Sequence, residues 1–176
     1  MSMLQTENTV AGLRLATNDD VDQLVPFINR AFAPDNYFKS TERTNPSQVG
    51  EYLRKGFFLL REDANGLFGL VYIELRENSR GYIGMIATDP DRQRGGIGTH
   101  LLHIGEEFCR NQGSQVIEIC VINLRPDLIA WYQRKGYQIV GEAPYVRPEV
   151  LILPCHFILM EKNIAPTSTG GAENSN

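Results

Sequence analysis

Stretches with apolar residues at every third or fourth position alternate along the chain with short stretches that are apolar throughout or at alternate positions. The first pattern predicts amphipathic helices and the second predicts β-strands. Helices are predicted from Thr17 to about Phe32, from Asn45 to Gly56, from Gly96 to Asn111 and from Asp127 to Lys135. Strands are predicted at Leu13–Ala16, Phe57–Arg61, Leu67–Leu75, Arg80–Thr88, Val116–Ile122, Tyr137–Val140 and Cys155–Glu161.

The order of these elements is β-α-α-β-β-β-α-β-α-β-β, which predicts a mixed α/β fold in a single domain. Thr17 followed by Asp20 is a short acidic variant of the capping box. The segment Ala64–Gly66 indicates a hairpin turn. The unit from Tyr82 to Val121 should place two parallel strands on either side of a right-handed crossover helix.

Composition places few limits on this picture. The chain has 176 residues, of which 42% are hydrophobic and 22% charged, as expected for one globular domain. Its formal net charge of −4 argues against nucleic acid or an anionic membrane as the main partner, and favours cationic or neutral substrates. Residues 1–12 are predicted to be a flexible lead-in, residues 13–163 the folded domain and residues 164–176 a disordered tail that buries nothing.

The segment around residues 1–10 lacks the basic and apolar regions of a signal peptide, and no apolar run is long enough to span a bilayer. The odd, widely spaced set Cys109, Cys120 and Cys155 fits neither a disulfide framework nor a zinc site, and indicates buried thiols in a reducing compartment. We therefore expect a cytoplasmic protein.

The loop from Asp89 to Thr99 carries the strongest chemical signal. A strand ends there, a short basic loop follows, and Gly95, Gly96 and Gly98 lead into a helix. Glycines allow the backbone to approach a ligand, and the first turn of a helix has unpaired N–H groups and positive potential. This arrangement predicts an anion site suited to a pyrophosphate.

Two common nucleotide motifs do not fit this loop. The Walker pattern is absent. A dinucleotide fingerprint would need a third glycine where Leu101 stands, and it would open a βαβ unit rather than follow a hairpin. A nicotinamide-dependent oxidoreductase is thus a distant alternative.

The pattern that fits is Gln-x-x-Gly-x-Gly, formed by Gln93, Gly96 and Gly98. With it, the sequence resembles the GCN5-related N-acetyltransferase (GNAT) superfamily. A second match lies downstream, where Glu118-Ile119 and Asn123 precede the segment Trp131–Tyr137, which is similar to the closing Leu-Tyr-x-Lys-x-Gly-Phe signature of that superfamily. The resemblance extends from about residue 13 to residue 160.

The resemblance implies an α/β (α+β) fold with a central mixed, mostly antiparallel, splayed sheet of about seven strands and about four helices. It also implies binding of coenzyme A, with Asn123 touching the pantetheine arm. Ile86, Ala87 and Thr88 would bond the pantetheine through their main chain, and the pyrophosphate would be wrapped by Gln93, Arg94, Gly95, Gly96, Ile97, Gly98 and Thr99. The spacing from Asn123 to Tyr132 is longer than is common in the family, and Arg125 in this stretch could meet substrate or cofactor.

Acyl transfer to an amine needs a proton donor for the departing thiolate. Tyr132, with a reference pKa of about 10, is protonated at neutral pH and can fill that role; packing beside Trp131 is the structural alternative. A main-chain N–H near Ile86 or Ala87 could serve the developing oxyanion. For the base that accepts the amine proton, Glu118 is the candidate, because a carboxylate inside an apolar strand is costly unless it is paired or faces a cleft.

Several alternatives stay open. Glu74, Asp89 or a chain of waters could replace Glu118 as the route for the proton. His100 and His103 are interpreted as part of a polar helix face, together with nearby glutamates, rather than as ligands of a metal. No Ser/His/Asp or Cys/His set has supporting sequence context. Direct attack by the amine in a ternary complex is therefore favoured over a covalent acyl-enzyme.

Together these features predict an N-acetyltransferase that uses acetyl-CoA, without a metal, to modify a primary amine of a small molecule, amino acid or peptide. A non-catalytic acyl-CoA-binding or regulatory module on the same fold is the alternative. The loop Ala33–Asn45 is expected to help select the acceptor. The sequence leaves open whether the chain forms a homodimer.

Overall fold

One seven-stranded sheet organises the part of the chain that the computed structural model describes, residues 12–92 and 95–166. Its strands are β1 (Leu13–Leu15), β2 (Phe57–Asp63), β3 (Gly66–Arg76), β4 (Arg80–Thr88), β5 (Val116–Ile122), β6 (Gln138–Pro144) and β7 (His156–Asn163). The helices are α1 (Val21–Ala31), α2 (Pro46–Lys55), α3 (Ile97–Asn111) and α4 (Pro126–Arg134), and short 3-10 turns lie between some of these elements. The predicted number, kind and order of the strands and α-helices are confirmed.

The strands lie in the order β1-β2-β3-β4-β5-β7-β6. All neighbours are antiparallel except β4 and β5, which are parallel and joined through α3. The mixed, mostly antiparallel sheet is therefore confirmed. Thr17 and Asp20 form the predicted capping box, and Asn45 caps α2 through its side chain.

The parallel pair β4 and β5 separates soon after it forms. The two strands pair at three positions, from Arg80 opposite Val116 to Tyr82 opposite Glu118. From Ile83 onward the edge of β4 that faces β5 pairs with no other strand of the described residues. This divergence is the predicted splay of the sheet.

The two faces of the sheet are covered by different helices. One hydrophobic cluster packs α3 and α4 against β3, β4, β5 and β7, with Leu101 and Leu102 of α3 fully buried. A second cluster packs α1 and α2 against the other face, with Leu24 and Val49 fully buried. Both faces of the central strands are therefore shielded from water, as their nearly continuous apolar sequences require.

Glycines bring α3 unusually close to the sheet. A Cβ at Gly81 of β4 would lie 2.7 Å from the Sγ of Cys109, and a Cβ at Gly105 of α3 would lie 3.0 Å from the Cδ1 of Ile83. No side chain fits at either position without movement of its neighbours. The close contact packs the second half of α3 tightly against the first half of β4.

A buried polar cluster joins α3 to the last two elements of the core. The hydroxyl of Tyr137 donates to Glu106 at 2.9 Å, and the Nζ of Lys162 lies 3.0 Å from both carboxylate oxygens of Glu106. Glu106 is only 3% exposed. The glutamate that was assigned to the polar face of the helix with His100 and His103 is thus a core residue, stabilised by a cation and a hydroxyl donor.

The predicted boundary of the tail begins too early. Ile164 is 5% exposed and packs in the core, and its N–H donates to the carbonyl of Gln115. Residues 1–11 and 167–176, which hold most of the predicted lead-in and tail, lie outside the described residues. Within the described ranges, no helix combines the length and the hydropathy needed to cross a bilayer.

Replacing Gly81 with alanine should lower the free energy of unfolding by about 1–3 kcal/mol, because the new methyl overlaps the Cys109 sulfur. Denaturant-induced unfolding of purified protein measures the change. The double variant G81A/C109A should recover part of the loss, since the sulfur is then absent. Additive effects of the two substitutions would show that the contact with Cys109 does not limit the approach of α3.

Candidate active site

A cleft of about 950 Å³ opens where β4 and β5 separate. One end, here called the helix end, is lined by the end of β4, the first turn of α3 and several residues of α4. Its residues include Ile86, Thr88, Gly96, Ile97, Gly98, Thr99, Leu128, Trp131, Tyr132 and Arg134. The other, called the loop end, is lined by the connection between α1 and α2 and by the one between β6 and β7, including Phe32, Asp35, Phe38, Lys39, Arg43, Tyr145 and Arg147. Tyr82 and Cys120 line the cleft from β4 and β5.

A β-bulge in β4 faces this cleft. Val71 of β3 lies opposite two residues, Met85 and Ile86, and Met85 has a positive φ of 45°. The bulge puts Met85 in the core cluster of α1 and α2, on the same face as Tyr82 and the preceding residue Gly84. Side-chain alternation is therefore reset within the strand, which turns Ile86 toward the α3 face.

The bulge leaves main-chain groups of β4 directed into the splay. The N–H of Asp89 donates to the carbonyl of Phe68 in β3. Because successive residues of a strand direct their main-chain groups to alternate edges, Ala87 faces β3, and Ile86 and Thr88 face the unpaired edge. Two of the three predicted pantetheine-binding residues thus offer main-chain bonds to the cleft, whereas the side chain of Ala87 is buried on the opposite face.

The first turn of α3 also opens into the cleft. Gly95 and Gly96 have φ of 102° and 75°, and Gly96 occupies the N-cap position without any side-chain cap. Gly98 is helical, so its backbone does not demand glycine. A Cβ at any of the three would meet no atom of the described residues within 4 Å, apart from chain neighbours and the backbone of its own helix. The free space in front of these residues fits a ligand that approaches the backbone N–H groups closely.

The structure places most of the predicted loop residues together. Gly96, Ile97, Gly98 and Thr99 line the cleft at its helix end. Gly95 is exposed next to them and does not line it. The predicted ligands Gln93 and Arg94 lie outside the described residues.

Tyr132 lies in the cleft as predicted from its position in the sequence. It is 8% exposed, and among the described residues its hydroxyl has no hydrogen-bond partner. Burial, and then the nearby Cys120, raises the pKa of Tyr132 above its ordinary value. The hydroxyl therefore stays protonated at neutral pH and remains free to donate. Its ring also packs edge-on against Trp131, so packing and proton donation are compatible.

Glu118 does not line the cleft. Its two oxygens accept from Arg76 at 2.7 Å and from Arg80 at 2.5 Å. Partial burial alone would raise the pKa of Glu118, but the two arginines outweigh it and hold the pKa below its ordinary value. A carboxylate bound in this way is a weak base, so the geometry gives no support to the predicted proton-accepting role.

The alternative carboxylates also lie outside the cleft lining. Glu74 accepts from the hydroxyl of Tyr72 at 2.9 Å, and Asp89 pairs with Arg30 at 3.3 Å.

Asn123 is engaged by the sheet rather than directed at the cleft. Its Oδ1 accepts from the N–H of His156 at 3.0 Å, and its own N–H donates to the carbonyl of the same residue. Arg125 lines the cleft but is held between Asp35 at 2.8 Å and Asp127 at 2.9 Å. The lengthened segment before α4 is thus tied to the loop between α1 and α2.

The loop end contains a buried lysine that the sequence did not single out. Lys39 is 3% exposed and lines the cleft, and its backbone forms an isolated bridge with Leu151. Burial first, then the charges of Arg43 and Arg147, lowers the pKa of Lys39 to about 8. A lone lysine in a polar loop gives no sequence signal of such burial, because the residues that cover it come from distant parts of the chain.

No group of three or more histidine, cysteine, aspartate or glutamate side chains in the described ranges is arranged to hold a metal ion.

Comparison with known proteins identifies relatives of this chain. Residues 25–137 match the model of the Acetyltransferase (GNAT) family. A mycothiol acetyltransferase of Propionibacterium freudenreichii subsp. shermanii is 27% identical over 138 residues, which make up 74% of this chain and 44% of that protein. The chain therefore spans less than half the length of this curated relative.

Solved structures share the fold at low sequence identity. The ribosomal-protein-S18-alanine N-acetyltransferase of Escherichia coli has a TM-score of 0.71 at 15% identity, over 90% of this chain and 96% of that one. A GNAT family acetyltransferase of Elizabethkingia anophelis, solved with acetyl-CoA bound, has a TM-score of 0.61 at 18% identity, over 68% of this chain and 84% of that one.

Replacing Lys39 with methionine should stabilise the protein below pH 8, and the gain should shrink between about pH 8 and 10.5. The folded-state pKa of about 8 lies below the ordinary 10.5, so the unfolded chain binds more protons in this window and the wild type gains stability there as pH rises. Arg43 and Arg147 oppose the charge of Lys39, whereas Asp35 and Glu42 favour it. Thermal or denaturant unfolding at several pH values measures the difference between the two proteins.

The matched control is K55M, which removes an exposed lysine from α2. A stability difference between K39M and wild type that stayed constant from pH 7.5 to 10.5 would contradict a depressed pKa at Lys39.

Proposed function

The chain belongs to the acetyltransferase (GNAT) family, and we propose that it transfers the acetyl group of acetyl-CoA to a primary amine by direct attack in a ternary complex. The observation that carries the proposal is the divergence of β4 and β5, which opens a cleft between unpaired main-chain groups on one side and a free tyrosine hydroxyl on the other. The name of the mycothiol acetyltransferase relative supports the class of reaction. Because the match covers only 44% of that protein, we infer the acceptor from the cleft of this chain.

Coenzyme A fits the helix end of the cleft. Main-chain groups of Ile86 and Thr88 would pair with the pantetheine amides like a short added strand, and the N–H groups of residues 97–99 would hold the diphosphate. The positive end of the α3 dipole adds to this attraction. The open space at Gly98 supports the assignment, since neither backbone conformation nor packing explains a glycine there.

Two groups of the chain act on the reacting atoms in this proposal. The N–H of Ile86, at the bulge, stabilises negative charge on the thioester carbonyl oxygen as the amine adds. Tyr132 donates its proton to the sulfur as the carbon–sulfur bond breaks, so that the leaving group departs as the thiol, and Tyr132 regains a proton through the water that accepts the proton of the amine. The main-chain bonds of β4 hold the thioester between the two groups.

We assign no side chain as the base that takes the proton of the amine. The acidic residues that line the cleft, Asp35 and Asp127, are both bound by Arg125. Glu118 is bound by two arginines outside the lining. The proton therefore leaves through water in the cleft, which at about 950 Å³ has room for it beside the substrates.

An assay of thiol release from acetyl-CoA with a panel of amines tests the proposal as a whole. Acceptor-dependent release is the expected result. Tight binding of acetyl-CoA with no release for any amine would favour the alternative of a non-catalytic acyl-CoA-binding module.

Replacing Tyr132 with phenylalanine should lower kcat about 100-fold and leave the Kd for acetyl-CoA within about twofold of wild type. The hydroxyl makes no hydrogen bond with the described residues, so its removal costs the fold little. Steady-state kinetics and calorimetric titration give the two constants. An unchanged kcat would remove Tyr132 from the mechanism.

The matched control is Y137F. Tyr137 is buried near Tyr132 but donates to Glu106, so its hydroxyl supports the core rather than the cleft. This variant should lose stability by about 1–2 kcal/mol and keep a kcat close to wild type.

Replacing Gly98 with alanine should raise stability and weaken cofactor binding. Alanine favours a helix over glycine by up to about 1 kcal/mol, and no protein atom obstructs the added methyl. The methyl would instead occupy space needed by the diphosphate, and the Kd for coenzyme A should rise about tenfold. The control G50A, in α2 and away from the cleft, should raise stability without changing the Kd. Unchanged binding in G98A would place the diphosphate elsewhere.

A further inference from the structure

The loop end of the cleft holds three cations that have no ionic partner among the described residues. Lys39, Arg43 and Arg147 all line it, and none makes an ion pair or side-chain hydrogen bond with the described residues. The Nε of Arg43 is buried and unpaired, and its guanidinium lies 5.0 Å from the ring centre of Phe32. Such groups are normally paired when they leave bulk water.

Lys39 is the most constrained of the three. Only 3% of its surface is exposed, and the segment that carries it is fixed by main-chain bonds from Ser40 to Val150 and from Ile152 to Phe38. The side chain therefore cannot reach bulk solvent by a small movement of its loop. A fixed and unpaired ammonium that lines a cleft is arranged to receive an anion from within that cleft.

Carboxylates near the three cations offset them only in part, although Asp35 and Glu42 favour the charge of Lys39. Asp35 and Asp127, the acidic residues in the lining, both bind Arg125. The cations thus outnumber the remaining negative charge at the loop end, although the chain as a whole carries a net charge of −4. The net charge of the chain favoured cationic or neutral acceptors, but the local charges of the cleft favour an anionic one.

We propose that the acceptor amine carries an anionic group, a carboxylate or a phosphate, which binds between Lys39, Arg43 and Arg147. The proposal rests on the proposed function, because the same cleft would hold the acetyl donor at its helix end. Aromatic rings of Phe38, Tyr145 and Phe157 line the same region and would contact the apolar part of the acceptor. The amine then lies between the anionic group and the thioester, near Tyr82 and Cys120.

The test compares pairs of acceptors in which one member carries the anionic group and the other a neutral group at the same position. L-Phenylalanine and L-phenylalaninamide test for recognition of a carboxylate, and O-phosphoethanolamine and ethanolamine test for recognition of a phosphate. The rate of thiol release from acetyl-CoA is measured for each acceptor. At least one anionic member should show a kcat/KM about tenfold or more above its neutral partner, as expected for a hydrogen bond to a charged group. Equal or reversed preference in both pairs would overturn the proposal and leave acetyl transfer itself intact.

Variants connect the preference to the three cations. In K39M and R147Q, the kcat/KM for the anionic acceptor divided by that for its neutral partner should fall toward one. The change should come mainly from a higher KM for the anionic acceptor. The matched control K55M removes a lysine of the same length from the surface and should keep the wild-type ratio. A ratio unchanged in K39M, or a loss of coenzyme A affinity in place of a loss of acceptor preference, would also overturn the proposal.

A binding measurement separates this inference from the proposed function. If no amine releases thiol, acetyl transfer fails, and anion binding is then read from melting in the presence of saturating coenzyme A. L-Phenylalanine or inorganic phosphate should raise the Tm of wild type and K55M but not that of K39M. The absence of any shift in the wild type would overturn the anion site.

Discussion

The active-site architecture depends on one interruption of backbone hydrogen bonding, the separation of β4 from β5 after Tyr82. Main-chain groups buried without partners are costly, so the rest of β4 needs water or a ligand along its free edge. The bulge at Met85 determines which groups face that edge. In the proposed function the pantetheine amides meet this need, and the bulge determines which main-chain groups of β4 face them.

The separation is held in place by ion pairs at its closed end. Arg76 of β3 and Arg80 of β4 both bind Glu118 of β5, and Arg80 also binds Glu161 of β7. These side chains connect four adjacent strands across the short stretch in which β4 and β5 pair. Glu118 thus acts as the anchor from which the two strands diverge, which explains a charge within an otherwise apolar strand better than a catalytic role does.

Local sequence signals predicted the elements, and distant contacts decided the roles of single residues. Short stretches of sequence determine the glycine loop, the capping box at Thr17 and the order of the elements. The fold and the helix end of the cleft could therefore be predicted. Glu118 binds residues 38 and 42 positions earlier, and Glu106 binds residues 31 and 56 positions later. No local pattern reveals such partners, and for the same reason Lys39 looked like an ordinary loop lysine.

The two ends of the cleft handle charge in opposite ways. At the helix end, the chain offers N–H groups and a helix dipole, which attract an anion without placing a buried charge in the free protein. At the loop end it keeps the charged Lys39, whose lowered pKa records the cost of holding a cation there. A fold selected for stability alone would pair or replace that cation. The proposed anionic acceptor explains its retention, because the stabilising negative charge then arrives with the second substrate and the loop end is complete only when both substrates are bound.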